Sequence, residues 1–410
     1  MRLENGVPER NFGNVFLWKK LGTTRLASWG TQESFCMEDF EYATGTSRVH
    51  GNFAHDARRV VPNEVVPNEV VPNEKTFPRE GKRGKFAGMK LFITGASGFL
   101  GRETVFSALR RGFDVTAILH ESEPIFPPQV RRVKMDLEST DALESLILQE
   151  FPDAIINCAA VASLAGANAN PARAERLNVA LPRRLAMLAN HISGRFVHVS
   201  TDMVFDGDKG GYEHTDMPLP RNFYAQTKLM GEREVLKFGK ASATVVRTTL
   251  ISGNSASGTR SLHERLFTDW AEGKQTALFG EEIRQPVSVT NLADVLVELC
   301  ERPNLSGVYH WAGSESLSRF EIGERVARHF GLPAEKLVKK ISYADVAGAA
   351  ETRPRDLSFI LHPLAGKLKT RAQAFDELLS EMRVPEKFAA WYEAMTGRKV
   401  VRRLVKGVDF

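Results

Sequence analysis

From Met89 onward, apolar runs of strand length alternate with stretches of helical periodicity. Leu91-Phe92-Ile93 is the first apolar run, and it ends in Gly95-Ala96-Ser97-Gly98-Phe99-Leu100-Gly101. A helical pattern covers 102–111 and stops near Gly112. Asp114–Leu119 predicts a second strand and 130–135 a third. Asp141 and Glu144 are spaced as an N-terminal capping pair ahead of Leu146-Ile147-Leu148. The run 154–158 has the unbroken apolar character of a buried parallel strand. A helix over 171–190 contains Pro182, which predicts a kink or break. A strand at 196–200, a helix at 224–237 and a strand at 243–246 complete the series. Strands and helices alternating at this spacing predict an α/β fold with a doubly wound parallel sheet.

After Arg247 the rhythm loosens. Residues 253–258 form a Gly/Ser/Asn loop, and 280–286 a polar connection. A helix near 291–301 and a strand at Gly307–Trp311 follow. Ser318 and Glu321 are spaced as a capping box for an amphipathic helix that runs through Phe330 and is closed by Gly331 and Pro333. The expected organisation is a dinucleotide-binding domain at 89–250, with return segments near 285–311, and a smaller interleaved substrate domain at 251–410 that includes a basic tail.

Upstream of Met89 the pattern disappears. Val60-Val61-Pro62-Asn63-Glu64 recurs at 65–69 and at 70–74, and a proline in each short unit opposes both helix and sheet. Residues 1–88 therefore read as a low-complexity extension, with Met89 as the expected natural start.

Composition narrows the class. The 410 residues are 42% hydrophobic and 26% charged, which is ordinary for a soluble globular protein. A net charge of +5, concentrated before the first strand and at the C-terminus, reads as solvated tails and not as a nucleic-acid surface. Cys36, Cys158 and Cys300 are few and far apart, and no Cys/His metal spacing occurs. With no apolar stretch of membrane-spanning length and no secretory leader pattern, the expectation is a cytoplasmic protein without metal or membrane partner.

Three constellations carry chemistry. Glycines at 95, 98 and 101, after a strand and before a helix, suit a dinucleotide pyrophosphate. They permit a tight turn, close backbone approach and helix–strand packing, and the helix N-terminus attracts the anion. No acidic residue marks the end of the second strand, where His120 and Glu121 stand, so NAD and NADP both remain open, with NADPH slightly favoured. Asp136 is placed either to accept from an adenine amino group or to serve as a plain loop aspartate. Tyr224 and Lys228 are four apart on one helix, which puts phenol and ammonium on one face; a nearby cation is what would make that phenol useful at neutral pH. Thr201, at the end of a buried strand, is placed to hold a substrate carbonyl.

These motifs carry a resemblance to the extended short-chain dehydrogenase/reductase family. Within it the chain most resembles dTDP-4-dehydrorhamnose reductase and the regulatory beta subunit of methionine adenosyltransferase. The stretches that match are Ile93–Gly101, Asn157-Cys158-Ala159-Ala160, Leu177-Asn178, Val199 to Gly207, Tyr224-x-x-x-Lys228-x-x-Gly231-Glu232, Gln285-Pro286 and Arg353-Pro354-Arg355-Asp356. The resemblance implies reduction of a nucleotide-linked 4-keto-6-deoxysugar. Tyr224 would be the proton donor, Lys228 would lower the Tyr224 pKa and hold the nicotinamide ribose, and Thr201 would bond the reacting oxygen. It implies Gly95, Ser97, Gly98, Phe99, Leu100, Asp136, Ala159, Ala160, Asn178 and Lys228 as the cofactor-binding set, and leaves a homodimer open. Three positions depart from the pattern: Met203 replaces a tyrosine, Val161 to Gly166 replace a charged loop, and the aromatic near Leu250 is missing. The loss of an acid at Met203 argues against a dehydratase. The departures keep a non-catalytic NAD(P)-binding regulatory subunit, or an epimerase, as the alternatives.

Overall fold

A computed structural model describes residues 88–349 and 353–400, together with the backbone of 16–20 and 23–27. Phe16–Lys20 and Thr23–Ala27 form an antiparallel two-stranded ladder, an element absent from the sequence reading of the extension. The pentapeptide repeat, Cys36 and the basic residues Arg402, Arg403 and Lys406 lie outside the described residues.

The first strands and helices are β1 (Lys90–Thr94), α1 (Phe99–Arg110), β2 (Asp114–Leu119), β3 (Arg131–Lys134), α2 (Thr140–Glu150) and β4 (Ala154–Asn157). After α3 (Leu164–Ala169) comes an interrupted helix made of α4 (Pro171–Glu175), a π turn at Arg176–Ala180 and α5 (Leu181–His191). Then follow β5 (Arg195–Thr201), α6 (Phe223–Gly239) and β6 (Ala243–Thr248). The later segments are β7 (Ile251–Ser252), α7 (Leu262–Ala271), β8 (Thr276–Phe279), β9 (Ile283–Arg284), β10 (Val287–Ser288), α8 (Val289–Cys300), β11 (Gly307–Trp311), β12 (Leu317–Ser318), α9 (Arg319–His329), α10 (Ala334–Leu337), β13 (Val338–Ile341), α11 (Phe375–Glu381) and α12 (Ala389–Thr396).

Seven strands pair in the order β11-β6-β5-β4-β1-β2-β3, all parallel. The two-residue period of a strand sends alternate side chains to opposite faces. Leu91 and Ile93 join the layer of α1 and α8, while Phe92 joins that of α2, α5 and α6. Burying each such side chain contributes about 1.5–3 kcal/mol, so both helical layers are firmly held. A third apolar cluster joins Leu266, Phe267 and Trp270 of α7 to Val326 of α9, Leu378 of α11 and Tyr392 of α12. Among the described residues no helix is long and apolar enough to cross a membrane.

Several local expectations are corrected. Helix α1 begins at Phe99, not Arg102, with Gly98 as its extended N-cap. Helix α2 starts at Thr140 after Ser139, so Asp141 lies inside its first turn and Glu144 instead pairs with Arg184. The 171–190 helix is interrupted by the π turn just before Pro182. Proline has no N–H for the carbonyl of Asn178, four residues back, and the interruption absorbs that loss. Residues 280–286 are not merely a connection, because β9 pairs antiparallel with β12.

Candidate active site

Strand order reverses between β1 and β4, and the crevice at their carboxyl ends is where open α/β sheets bind ligands. Gly95 turns the chain there with φ +68°, and a Cβ on it would sit 2.7 Å from the Ala159 nitrogen. A Cβ on Gly101 would stand 2.1 Å from the Gly95 carbonyl oxygen, so only glycine lets α1 close onto the turn. Gly98 donates to the Gly95 carbonyl at 2.9 Å and caps α1. The first N–H groups of α1 have no partners within the helix and face an anion readily. This cradle fits a dinucleotide pyrophosphate: a side chain at 95 or 101 would fill the space the turn needs.

A cavity of about 1150 Å³ opens from this turn. Gly95, Ser97, Gly98, Phe99, Leu100, Asp136, Ala159, Ala160, Thr201, Tyr224 and Lys228 all line it, so the structure brings these residues together. Asn178 does not. It is fully buried in the π turn, accepting from the Val161 N–H at 2.9 Å and donating to the Val161 carbonyl and Thr227 hydroxyl. Both amide hydrogens are spent on the chain, and its contacts make it a strut between the 161 loop and α6. Glu121 points to solvent beside His120, and His120 itself lines the cavity.

Strand β5 and helix α6 place the reactive hydroxyls. Thr201 ends β5, donates to Asp202 at 3.0 Å and accepts from the Met203 N–H at 3.2 Å. Tyr224 and Thr201 line the same cavity, and the Thr201 side chain works to lower the Tyr224 pKa. Asn222 caps α6 through the Ala225 N–H at 2.9 Å, and this sets Tyr224 in the first turn. Beneath them Thr94, Asn157 and His198 form a buried chain, 2.6 and 3.0 Å, across β1, β4 and β5.

Burial is the largest electrostatic influence on Tyr224 and Lys228. Burial pushes the Tyr224 phenol up to about 12, against the Thr201 side chain and aided by Asp202. Burial brings the Lys228 ammonium down to about 8, while Glu232 and Cys158 work the other way, and the ammonium donates to the Val199 carbonyl at 2.7 Å. Asp202 is also raised by burial, although Arg284, Thr249 and Thr201 oppose the rise.

The cavity has two further walls. Beside Tyr224 it is apolar: Met203, Ala162, Leu164 and Leu250 line the space, and Met203 and Val161 pack against the cluster that holds Tyr224. Farther along, Arg260, Arg265, Arg284, Arg319 and Arg353 line it with Glu282 among them. Sequence reasoning named Arg353 only within a matching stretch and missed Glu282, Arg284 and Arg319 as a group.

A family defined as "RmlD substrate binding domain" matches residues 89–384. The probable low-salt glycan biosynthesis reductase Agl14 of Haloferax volcanii is 30% identical over 283 residues, 68% of this chain and 92% of that protein. Methionine adenosyltransferase 2 subunit beta of Xenopus laevis is 31% identical over 254 residues, covering 60% of this chain and 74% of its own. The dTDP-4-dehydrorhamnose reductase of Bacillus anthracis, solved in complex with NADP, shares the fold at TM-score 0.62 and 23% identity, over 71% of this chain and 97% of that one. With the glycine cradle and the Thr201–Tyr224 pair in one cavity, the match over 89–384 places the chain: it belongs to the RmlD substrate binding domain family of NAD(P)-dependent oxidoreductases.

Proposed function

We propose that this oxidoreductase reduces the 4-keto group of a nucleotide-linked 6-deoxysugar, with Tyr224 as proton donor and NADPH as the slightly favoured cofactor. The observation that carries the reading is the convergence of Thr201, Tyr224 and Lys228 on the cavity that begins at the glycine turn. A bound dihydronicotinamide supplies the hydride. The chain's residues manage the oxygen that gains charge. A phenol raised to about 12 is fully protonated at neutral pH and gives its proton only to a stronger base, such as a forming alkoxide. Thr201, after turning its hydroxyl from Asp202, donates to the same oxygen. Lys228 would hold the nicotinamide ribose. The apolar wall of Met203, Ala162 and Leu250 suits a methyl group better than a hydroxymethyl. The lack of a buried acidic residue at the end of β2, where Glu121 is exposed, supports NADPH.

The similarity to a methionine adenosyltransferase subunit favours a second reading, in which cofactor is held without turnover. Purified protein mixed with a dTDP-4-keto-6-deoxyhexose and NADPH separates them. Reductase action consumes NADPH, and Tyr224→Phe stops it. Tight NADPH binding with no consumption on any keto-sugar would favour the regulatory reading.

A further inference from the structure

We propose that Thr248 is a specificity residue of the keto-sugar site: its hydroxyl bonds the hydroxyl on the ring carbon beside the ketone, and so selects sugars that keep an oxygen there. The identity of the ligand rests on the reductase reading above; the unpaired hydroxyl next to Thr201 rests on the geometry.

Thr248 is the last residue of β6, and its register partner on the neighbouring parallel strand is Thr201, the last residue of β5. Paired positions on adjacent strands send their side chains to the same face of a sheet, with the strands about 4.8 Å apart. Both residues line the cavity. A second hydroxyl therefore stands next to the one that meets the reacting oxygen. It lies on the side away from the glycine turn, because β6 is beyond β5 as counted from β1 and β4.

The two hydroxyls differ in what holds them. Thr201 donates to Asp202 and accepts from the Met203 N–H. The Thr248 hydroxyl is buried, in a residue only 4% exposed, and has no hydrogen-bond partner among the described residues. Its other neighbour across the sheet, Trp311, is committed elsewhere, since the indole N–H donates to Asn291 at 2.9 Å. Thr249 also lines the cavity, but its side chain works to lower the Asp202 pKa, which ties it to that acid. A buried hydroxyl is costly to leave unpaired, and native chains pair nearly all of theirs. A valine of the same shape would fill position 248 without that cost. The β-branched side chain is restricted at χ1, so its oxygen is held in place before a ligand arrives.

In a 4-keto-6-deoxysugar the ketone carbon lies between C5, which carries the methyl, and C3, which carries a hydroxyl. The cavity offers a matching contrast. Met203, Ala162 and Leu250 make an apolar wall, and Thr248 with Thr201 makes a hydroxylated one. With the ketone oxygen on Thr201 and Tyr224, the C3 hydroxyl can donate to Thr248 Oγ1 or accept from it, since a threonine hydroxyl serves both ways. A site with a buried partner for a substrate hydroxyl discriminates strongly against the analogue that lacks it, because the partner is then left unpaired. Thr248 moves no proton in this scheme; it fixes the ring through the atom next to the one that reacts.

Steady-state kinetics on the full chain, at saturating NADPH, test this with a dTDP-4-keto-6-deoxyhexose and its analogue lacking the C3 hydroxyl. In the native protein kcat/KM should favour the hydroxylated sugar about ten-fold or more. That ratio should fall toward one in Thr248→Val and in Thr248→Ala, whereas Thr248→Ser should keep most of it. The melting temperature of Thr248→Val should hold or rise and its NADPH affinity stay the same, because no bond within the chain is lost. Equal kcat/KM for the two sugars in the native protein, or a preference that survives both Thr248→Val and Thr248→Ala, overturns the proposal and leaves the reductase reading in place. A Thr248→Val chain that melts well below the native one assigns the hydroxyl to the structure and overturns it too. Calorimetry with dTDP-6-deoxyhexoses that bear or lack the C3 hydroxyl separates the two readings. A binding preference that depends on Thr248, with no NADPH consumed on any keto-sugar, keeps the subsite and removes the reductase reading.

Discussion

Arg247 grips both carboxylate oxygens of Glu232, at 2.7–3.1 Å, one helical turn beyond Lys228 on α6. Ser200 donates to the same carboxylate at 2.5 Å, and both charged side chains are at most 5% exposed. A buried pair of this kind adds little net stability over apolar residues of equal volume, yet breaking it strands a charge. Arg247→Met should therefore destabilise the protein by about 3–5 kcal/mol, and Glu232→Met/Arg247→Met should recover most of that. Denaturant titration of the single and double variants checks it; equal losses in both would mean that packing of Arg247 on Phe205 dominates.

The same pair bears on Lys228. Burial lowers its pKa to about 8, with Glu232 and Cys158 opposing, and burial together with the Lys228 charge holds His198 well below its usual range. Because the folded value lies below the unfolded one, the unfolded chain binds more protons between about pH 8 and 10.5, and stability rises with pH across that window. The activity expected of a protonated Lys228 runs the opposite way and falls as pH passes about 8. In Glu232→Gln that alkaline limb should move to lower pH. A pH–rate profile that stays in place would show that Glu232 does not support the ammonium.

Tyr224 stays protonated well beyond that limb, with its phenol at about 12. Tyr224→Phe should lower kcat by about 100- to 10,000-fold, the range for loss of one general acid, at every pH between 6 and 9 alike. Because Met203 and Val161 still pack against the cluster that holds the ring, the melting temperature and NADPH affinity should hardly move. A variant with lost NADPH binding would instead assign Tyr224 to the cofactor.

Gly101 has the tightest space at the turn. A methyl group there meets the Gly95 oxygen at 2.1 Å, and neither backbone can retreat without opening α1 from β1. Gly101→Ala should cost about 1–3 kcal/mol of stability and weaken NADPH, because the moved helix N-terminus no longer meets the pyrophosphate. Thermal unfolding with and without NADPH reads both effects, and an unchanged ligand-induced shift in melting temperature would contradict the second.

What the chain disclosed in advance follows from the range of each interaction. The glycine turn, the buried strands and Tyr224 with Lys228 are local patterns, and their periods show in the sequence. The cluster on Glu282 does not, because Arg319 and Arg353 reach it from 37 and 71 residues away. Spacing to Lys228 shows in the sequence, but burial, the largest influence on the Tyr224 pKa, does not. Helix α7 escaped notice because its apolar residues follow a Gly/Ser-rich loop and are buried against α9 and α11, elements far along the chain.

Asn178 shows how a matching residue can keep its importance while changing its role. Its side chain closes three hydrogen bonds between the 161 loop and Thr227, and Thr227 bonds back to the Tyr224 carbonyl at 2.7 Å. Gly231 of α6 approaches the Asn178 carbonyl so closely that a Cβ would lie 2.0 Å from it, so the two helices are locked at this point. Asn178→Ala leaves the part-buried N–H and carbonyl of Val161 without their side-chain partner, at about 1–3 kcal/mol, while Thr227 keeps its bond to the Tyr224 carbonyl. The freed loop carries Val161 and Ala162 on the substrate side, away from the glycine turn. KM for the keto-sugar should rise and kcat fall, while NADPH affinity is kept. Titration of NADPH beside steady-state kinetics distinguishes this from a cofactor ligand, whose loss would weaken NADPH first.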